Sequence, residues 1–135
     1  MTPIVIDTSV VVCWCMLDED HALADRAMEL TLRNGAVVPD IWWYEVRNAL
    51  LANERRGRID AEHTRARLAD LREMRISRDH DHDDRIVLDL ARRHRLSVYD
   101  AAYVETALRR SLPLASLDRR LCEAAAASGA TFVRL

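Results

Sequence analysis

Lysine is absent: all 20 basic residues of this 135-residue sequence are arginine. A Walker-A phosphate loop needs a lysine to reach the terminal phosphates, so that class is excluded. Schiff-base catalysis is excluded for the same reason. Cysteine is scarce as well. Cys13, Cys15 and Cys122 are too few for a disulfide framework, and Cys13 and Cys15 lie two apart, pointing to different faces of a helix. Zinc sites space cysteines as C-x2-C or wider. The three therefore read as small buried apolar side chains in a reducing compartment. No apolar run approaches the ~20 residues that span a bilayer. Residues 1–12 lack the basic flank and small-residue cleavage site of a secretory leader, so the expected location is the cytoplasm, with no membrane association. Three glycines and three prolines leave no linker composition, and no repeat or low-complexity segment appears, so one domain over residues 1–135 is expected.

What is present is an ordinary globular balance, half hydrophobic and 31% charged. The net charge is −2, so any nucleic-acid binding has to rely on local arginine patches.

Hydrophobic periodicity divides the chain into short apolar runs and longer helical stretches. Strands are expected at Ile4 to Ile6, Ala36 to Pro39, Arg75 to Ser77, Pro113 to Ser116 and Thr131 to Val133. Helices are expected at Ser9 to Met16, Ala22 to Arg33, Asp40 to Arg56 capped by Asp40, Asp60 to Met74, a stretch after Asp84, Ser97 to Arg110, and Arg119 to Ser128. Alternation of buried strands with helices argues for a parallel α/β sandwich.

In open parallel sheets the ligand crevice lies beyond the C-terminal ends of the strands. Asp7 follows the first strand, Asp118 follows the Leu114 strand, and Asp100 opens a helix. Each taken singly is also a helix-start residue: Asp7 and Asp118 as caps, Asp100 as the third position of a capping box after Ser97. Capping and chemistry are compatible. Glu45 cannot be a cap. It sits in the second turn of its helix, on a face with Ile41, Ala49 and Ala52, while Arg47 and Glu54 take the solvent side. A carboxylate in an apolar stripe is costly unless something pairs with it; an arginine partner is the conservative explanation. Bringing Asp7, Glu45, Asp100 and Asp118 together requires compensation, since two like charges at 4 Å repel by ~4 kcal/mol at an effective dielectric of 20. Hard oxygen donors without paired His or Cys select Mg²⁺, with Mn²⁺ as the alternative. Such ions activate water against phosphate esters.

These residues resemble the PIN-domain nucleases. The segments that carry the resemblance are Ile4-Val5-Ile6-Asp7-Thr8-Ser9, Trp43-Tyr44-Glu45-Val46-Arg47-Asn48, Tyr99-Asp100-Ala101-Ala102-Tyr103, and Leu114-Ala115-Ser116-Leu117-Asp118. In length and motif order the chain is most similar to the VapC-type toxins of VapBC toxin–antitoxin pairs. The resemblance implies a three-layer α/β/α sandwich around a parallel sheet. It implies Mg²⁺-dependent endoribonuclease activity leaving 5′-phosphate and 3′-hydroxyl ends. It also implies a homodimer, and inhibition by a small VapB-type antitoxin that lays a helix on the toxin. Carried over by position, Asp7, Glu45, Asp100 and Asp118 are the catalytic, metal-holding acids. Ser9 supports Asp7, and Ser116 stands where the family often has threonine.

Arg119 and Arg120 follow Asp118 and are candidate phosphate contacts on RNA; a solvated surface explains them equally well. Arg55, Arg56 and Arg58 present the same choice. The run from Asp79 to Asp84 alternates acids with His80 and His82 and reads as a solvated loop leading into a helix. Trp42 and Trp43 differ by about 100° around their helix, so one is expected in the core and the other at the surface, where it would suit a partner groove. Three rivals to a toxin nuclease follow: a PIN nuclease outside any toxin pair, a non-catalytic metal- or RNA-binding module, and a phosphotransfer domain. The missing lysine and the absence of a second acid two residues after Asp7 count against the last.

Overall fold

The computed structural model describes residues 2–135. Four strands, β1 (Ile4–Ile6), β2 (Ala36–Pro39), β3 (Ile76–Asp79) and β4 (Leu114–Ala115), form one parallel sheet in the order β3-β2-β1-β4. Seven helices are seen among the described residues: α1 (Thr8–Cys15), α2 (Ala22–Asn34), α3 (Ile41–Arg55), α4 (Ala61–Glu73), α5 (Asp84–His94), α6 (Val98–Arg110) and α7 (Arg119–Ala127).

β1 is central because it is wholly apolar. Ile4, Val5 and Ile6 are all buried, as a strand covered on both faces must be. Helix α6 packs over β1 and β2, whereas α2 packs over β1 and β4. The result is the three-layer α/β/α arrangement. The register pairs Val5 with both Val37 and Leu114, so the sheet centre is a row of branched side chains. β3 is an edge strand with Ser77 and Arg78 exposed, a polar edge that discourages pairing with another chain. Gly35 makes the turn from α2 into β2 at φ +86°, and a side chain there would press on the Arg75 carbonyl at 3.1 Å.

Chain direction explains where a site can form. From β1 the chain steps one way to β2 and β3, then returns to β4 on the other side of β1. The strand order therefore reverses at β1, and the ends of β1 and β4 flank the crevice.

Four expectations need correction. Asp40 does not cap α3: its backbone is already helical, and its carboxylate meets His80 Nδ1 at 2.7 Å instead. Residues 131–133 form only a single bridge, Phe132 to Leu114, because β4 is two residues long and offers no further ladder. Asp79 belongs to β3, not to a solvated loop. It is buried, and Arg109 and Arg110 reach it from α6. Glu54 does not face open solvent; it is half-buried and accepts the Thr64 hydroxyl of α4 at 2.7 Å.

Candidate active site

The chain leaves β1 through Asp7, which caps α1. Its Oδ1 accepts the Val10 N–H at 3.2 Å and the Ser9 hydroxyl at 2.6 Å, and its Oδ2 accepts the Ser116 hydroxyl. Asp7 is only 4% exposed. Burial pushes its carboxyl up to about 6, against the pull of the Ser116, Ser9 and Val10 hydrogen bonds and with the Asp118 charge adding to the rise.

Two hydroxyls join the ends of the neighbouring strands. Ser116 Oγ donates to Asp7 while accepting the Asp118 N–H at 3.0 Å. Ser9 Oγ donates to Asp7 while accepting the Leu117 N–H at 2.8 Å. Asp118 then caps α7 through the Leu121 N–H at 3.2 Å. Ser9 and Ser116 each hold one oxygen of Asp7.

Glu45 lies at the rim of the buried stripe of α3 formed by Trp42, Val46 and Leu50, and is itself half-buried. Its partners are hydroxyls, where sequence reasoning allowed an arginine. Oε1 accepts from Thr8 Oγ1 at 2.9 Å and from Tyr103 Oη at 2.6 Å. Tyr103 is 1% exposed. Burial, then the charge and hydrogen bond of Glu45, hold its phenol far above the usual range, so it stays a donor. Sequence reasoning assigned no role to Thr8 or Tyr103. The available signal was position: Thr8 adjoins Asp7, and Tyr103 lies one turn from Asp100 on the same side of α6.

Asp100 is the third residue of α6, its N–H bonded to Ser97 Oγ at 3.0 Å. Burial raises its pKa, and the charges of Asp118 and Glu45 raise it further, opposed by Arg120 and Ser97. The acids are linked in a chain around the ends of β1 and β4: Asp118 acts on Asp7 and on Asp100, and Glu45 acts on Asp100. The two arginines after Asp118 separate. Arg120 bonds the Arg95 carbonyl at 2.9 Å and its charge reaches Asp100, whereas Arg119 is 92% exposed and pairs with Glu123.

Elsewhere, Trp42 is buried and Trp43 is 39% exposed, the split expected from their angle. Cys13, Cys15 and Cys122 are all free thiols. Arg58 is taken up by Asp18, Glu19 and Asn53. No helix is long and apolar enough to cross a membrane among the described residues.

The fit of a divalent ion follows from the donor set. None of Asp7, Glu45, Asp100 and Asp118 forms an ion pair among the described residues, although their charges oppose one another. Nor do three His, Cys, Asp or Glu side chains there close into a ready-made cage. Unpaired oxygen donors without a closed cage fit a hard cation that keeps most of its water shell and touches one or two carboxylates.

A parallel sheet with Asp7 and Asp118 at its switch point, both linked by charge to their acidic neighbours, defines a class: an α/β protein that carries hard oxygen donors at the ends of its strands. The PIN domain family model matches residues 4–127, and the chain belongs to the PIN-domain family. PIN domains are generally nucleases and typically use divalent metals. Among solved structures, that of PAE2754 from Pyrobaculum aerophilum is similar in fold, with a TM-score of 0.69 and 24% identity over 91% of this chain and 86% of that one. A comparison with curated proteins gives no match.

Proposed function

We propose that this chain is a Mg²⁺-dependent endoribonuclease acting as the toxin of a type II toxin–antitoxin pair. The observation that carries the nuclease reading is the unpaired acid group Asp7, Glu45, Asp100 and Asp118 around the ends of β1 and β4. The toxin assignment rests on the VapC-like motifs and their order, and with it come a VapB-type antitoxin and a homodimer as expected partners.

Bound Mg²⁺, or Mn²⁺ in its place, would supply charge neutralisation and an acidified water for attack on a phosphodiester. Asp7, Glu45, Asp100 and Asp118 would hold it, one or two of them directly and the others through its water shell. Ser9 and Ser116 fix both oxygens of Asp7, so its orientation is set before any ligand arrives. Thr8 and Tyr103 both hold Oε1 of Glu45, leaving Oε2 free. Arg120 stands beside Asp100 to meet a phosphate.

The test is cleavage of single-stranded RNA by the purified chain with Mg²⁺ and with EDTA. Glu45→Gln and Asp100→Asn should abolish cutting while circular dichroism stays that of the parent. Variants that cut as well as the parent would refute the assignment, and Mn²⁺ binding with no RNA cut would make the chain a binding module. Growth arrest on expression, relieved by the product of a short adjacent gene, tests the toxin role.

A further inference from the structure

Arg47 of α3, Arg72 of α4 and Arg78 of β3 line one pocket of about 180 Å³, walled by Trp42 and Trp43. Arg47 is held in place: its Nη1 donates to the Trp43 carbonyl at 3.0 Å and its guanidinium lies 3.8 Å over the Trp43 ring. None of the three arginines has an ion-pair partner among the described residues. The acid next to Arg78 does not compensate it. Successive strand residues point to opposite faces, and Asp79 turns to Arg109 and Arg110. Burial, then the charges of Arg72 and Arg78, hold Arg47 below its ordinary pKa, so these cations act on one another.

Three guanidiniums without ion-pair partners, from three elements around one concavity, are placed to receive an anion: Arg72 and Arg78 are exposed at its mouth and Arg47 is half-buried against Trp43. Guanidinium forks match phosphate oxygens in geometry and stack on aromatic walls. Arg47 also lines the adjoining groove of about 610 Å³, together with Tyr44, Glu45 and Tyr99. The pocket and the acids are therefore two stations along one surface, joined by α3. Tyr44 and Tyr99, 63% and 56% exposed, offer flat faces between them on which unpaired bases stack.

We propose that Arg47, Arg72 and Arg78 form a phosphate-binding pocket for a backbone phosphate of the RNA strand, flanking the one held at the acids. The choice of RNA rests on the nuclease reading above; the pocket itself rests only on its arginines.

The experiment measures binding in EDTA on the full chain, so cleavage plays no part. A single-stranded oligoribonucleotide is followed by anisotropy over a range of salt. Inorganic phosphate is titrated separately by tryptophan fluorescence, since Trp42 and Trp43 wall the pocket. Arg72→Ala/Arg78→Ala should weaken RNA binding on the order of tenfold and lower the log–log salt slope by about 0.7 for each phosphate no longer neutralised. It should also remove the fluorescence response to phosphate. Arg72→Lys/Arg78→Lys should keep most of the salt slope. Arg55→Ala/Arg56→Ala, exposed and outside the pocket, should lower it less.

A folded Arg72→Ala/Arg78→Ala protein with the parental slope overturns the proposal. If inorganic phosphate quenches the parent but the RNA slope does not change, the pocket holds a free anion and the RNA assignment is overturned. Displacement of phosphate by an acidic peptide with that same unchanged slope assigns it to a protein partner, with the same consequence. A chain that binds RNA through the pocket but cuts none in Mg²⁺ sinks the nuclease reading and leaves the pocket standing.

Discussion

Tyr103 donates its phenolic hydrogen to Glu45 Oε1 across 2.6 Å, joining α6 to α3 over the top of the sheet. Thr8 shares the same oxygen at 2.9 Å and lies 3.0 Å from the Tyr103 oxygen, so the contact is one corner of a triangle. The acid in the second turn of α3 is tolerated there because two hydroxyls take the place of water.

Tyr103→Phe keeps the ring and removes that donor. Glu45 is then held by Thr8 alone. Unfolding in urea should show a loss of about 1–2 kcal/mol, the range for a hydrogen bond to a charged group in a half-open setting. RNA cleavage should slow while the affinity for RNA stays near the parent's, because Glu45 orientation is affected and the strand contacts are not. An unchanged cleavage rate at saturating RNA would remove Tyr103 from a positioning role.

Ser116→Ala removes the hydroxyl that meets Asp7 Oδ2 and orphans the Asp118 N–H. Outer hydrogen bonds of this kind are worth about 10–100-fold in metal affinity. Mn²⁺ affinity, read by calorimetry, should drop within that range. Ser116→Thr retains the hydroxyl and should restore most of it, which a purely packing role for Ser116 would not predict.

Asp7 makes the metal-free protein sensitive to pH in an unusual direction. Its carboxyl is raised from 3.8 to about 6 in the fold. Between those values the folded chain keeps a proton that the unfolded chain has lost, so its stability falls as pH rises from about 4 to about 6. The loss totals about 3 kcal/mol. In EDTA, Asp7→Asn should lose the part of this slope that Asp7 carries, keep the part that the raised Asp100 carboxyl contributes, and be more stable than the parent at pH 8. Added Mg²⁺ or Mn²⁺ should raise the parent's melting temperature and leave Asp7→Asn where it was. A parent that gains stability between pH 4 and 6 would contradict this.

Arg109 lies between two buried acids, donating to Glu105 at 2.8 Å and to Asp79 at 2.7 Å. Burial pushes both carboxyls up, but the hydrogen bonds outweigh it and hold each below its ordinary value: Arg109, Arg110 and the Asp81 N–H on Asp79, and Arg109, His82 and the Asp83 N–H on Glu105. Their stabilisation is present above pH ~4 and lost as pH falls below it. Arg109→Met should destabilise the fold by about 1–3 kcal/mol at pH 7, the range for losing hydrogen bonds to charged groups, because Asp79 keeps Arg110 and Glu105 keeps His82. It should also flatten the acid limb of the stability–pH curve. If the two proteins share one acid limb, the network does not carry that linkage.

The sequence held the local part of the structure. Helix and strand periodicity, the caps at Asp7, Asp60, Ser97 and Asp118, and the split between Trp42 and Trp43 follow from neighbours within a few residues, which is the range that periodicity encodes. The four acids were visible too, because each stands at a strand end, a helix start or on an apolar face. Tertiary structure decided which segments meet. Ser116 reaches Asp7 from 109 positions away, Tyr103 reaches Glu45 from 58, and Arg109 reaches Asp79 from 30. No pattern along the chain carries those pairings, since they depend on strand order and helix crossing. A polar residue is at home in the interior only where a partner arrives through space. For that reason Asp79 read as a loop residue and is buried, Glu45 read as a metal-holding acid with an arginine as the conservative alternative and is held by two hydroxyls, and three scattered arginines became one pocket.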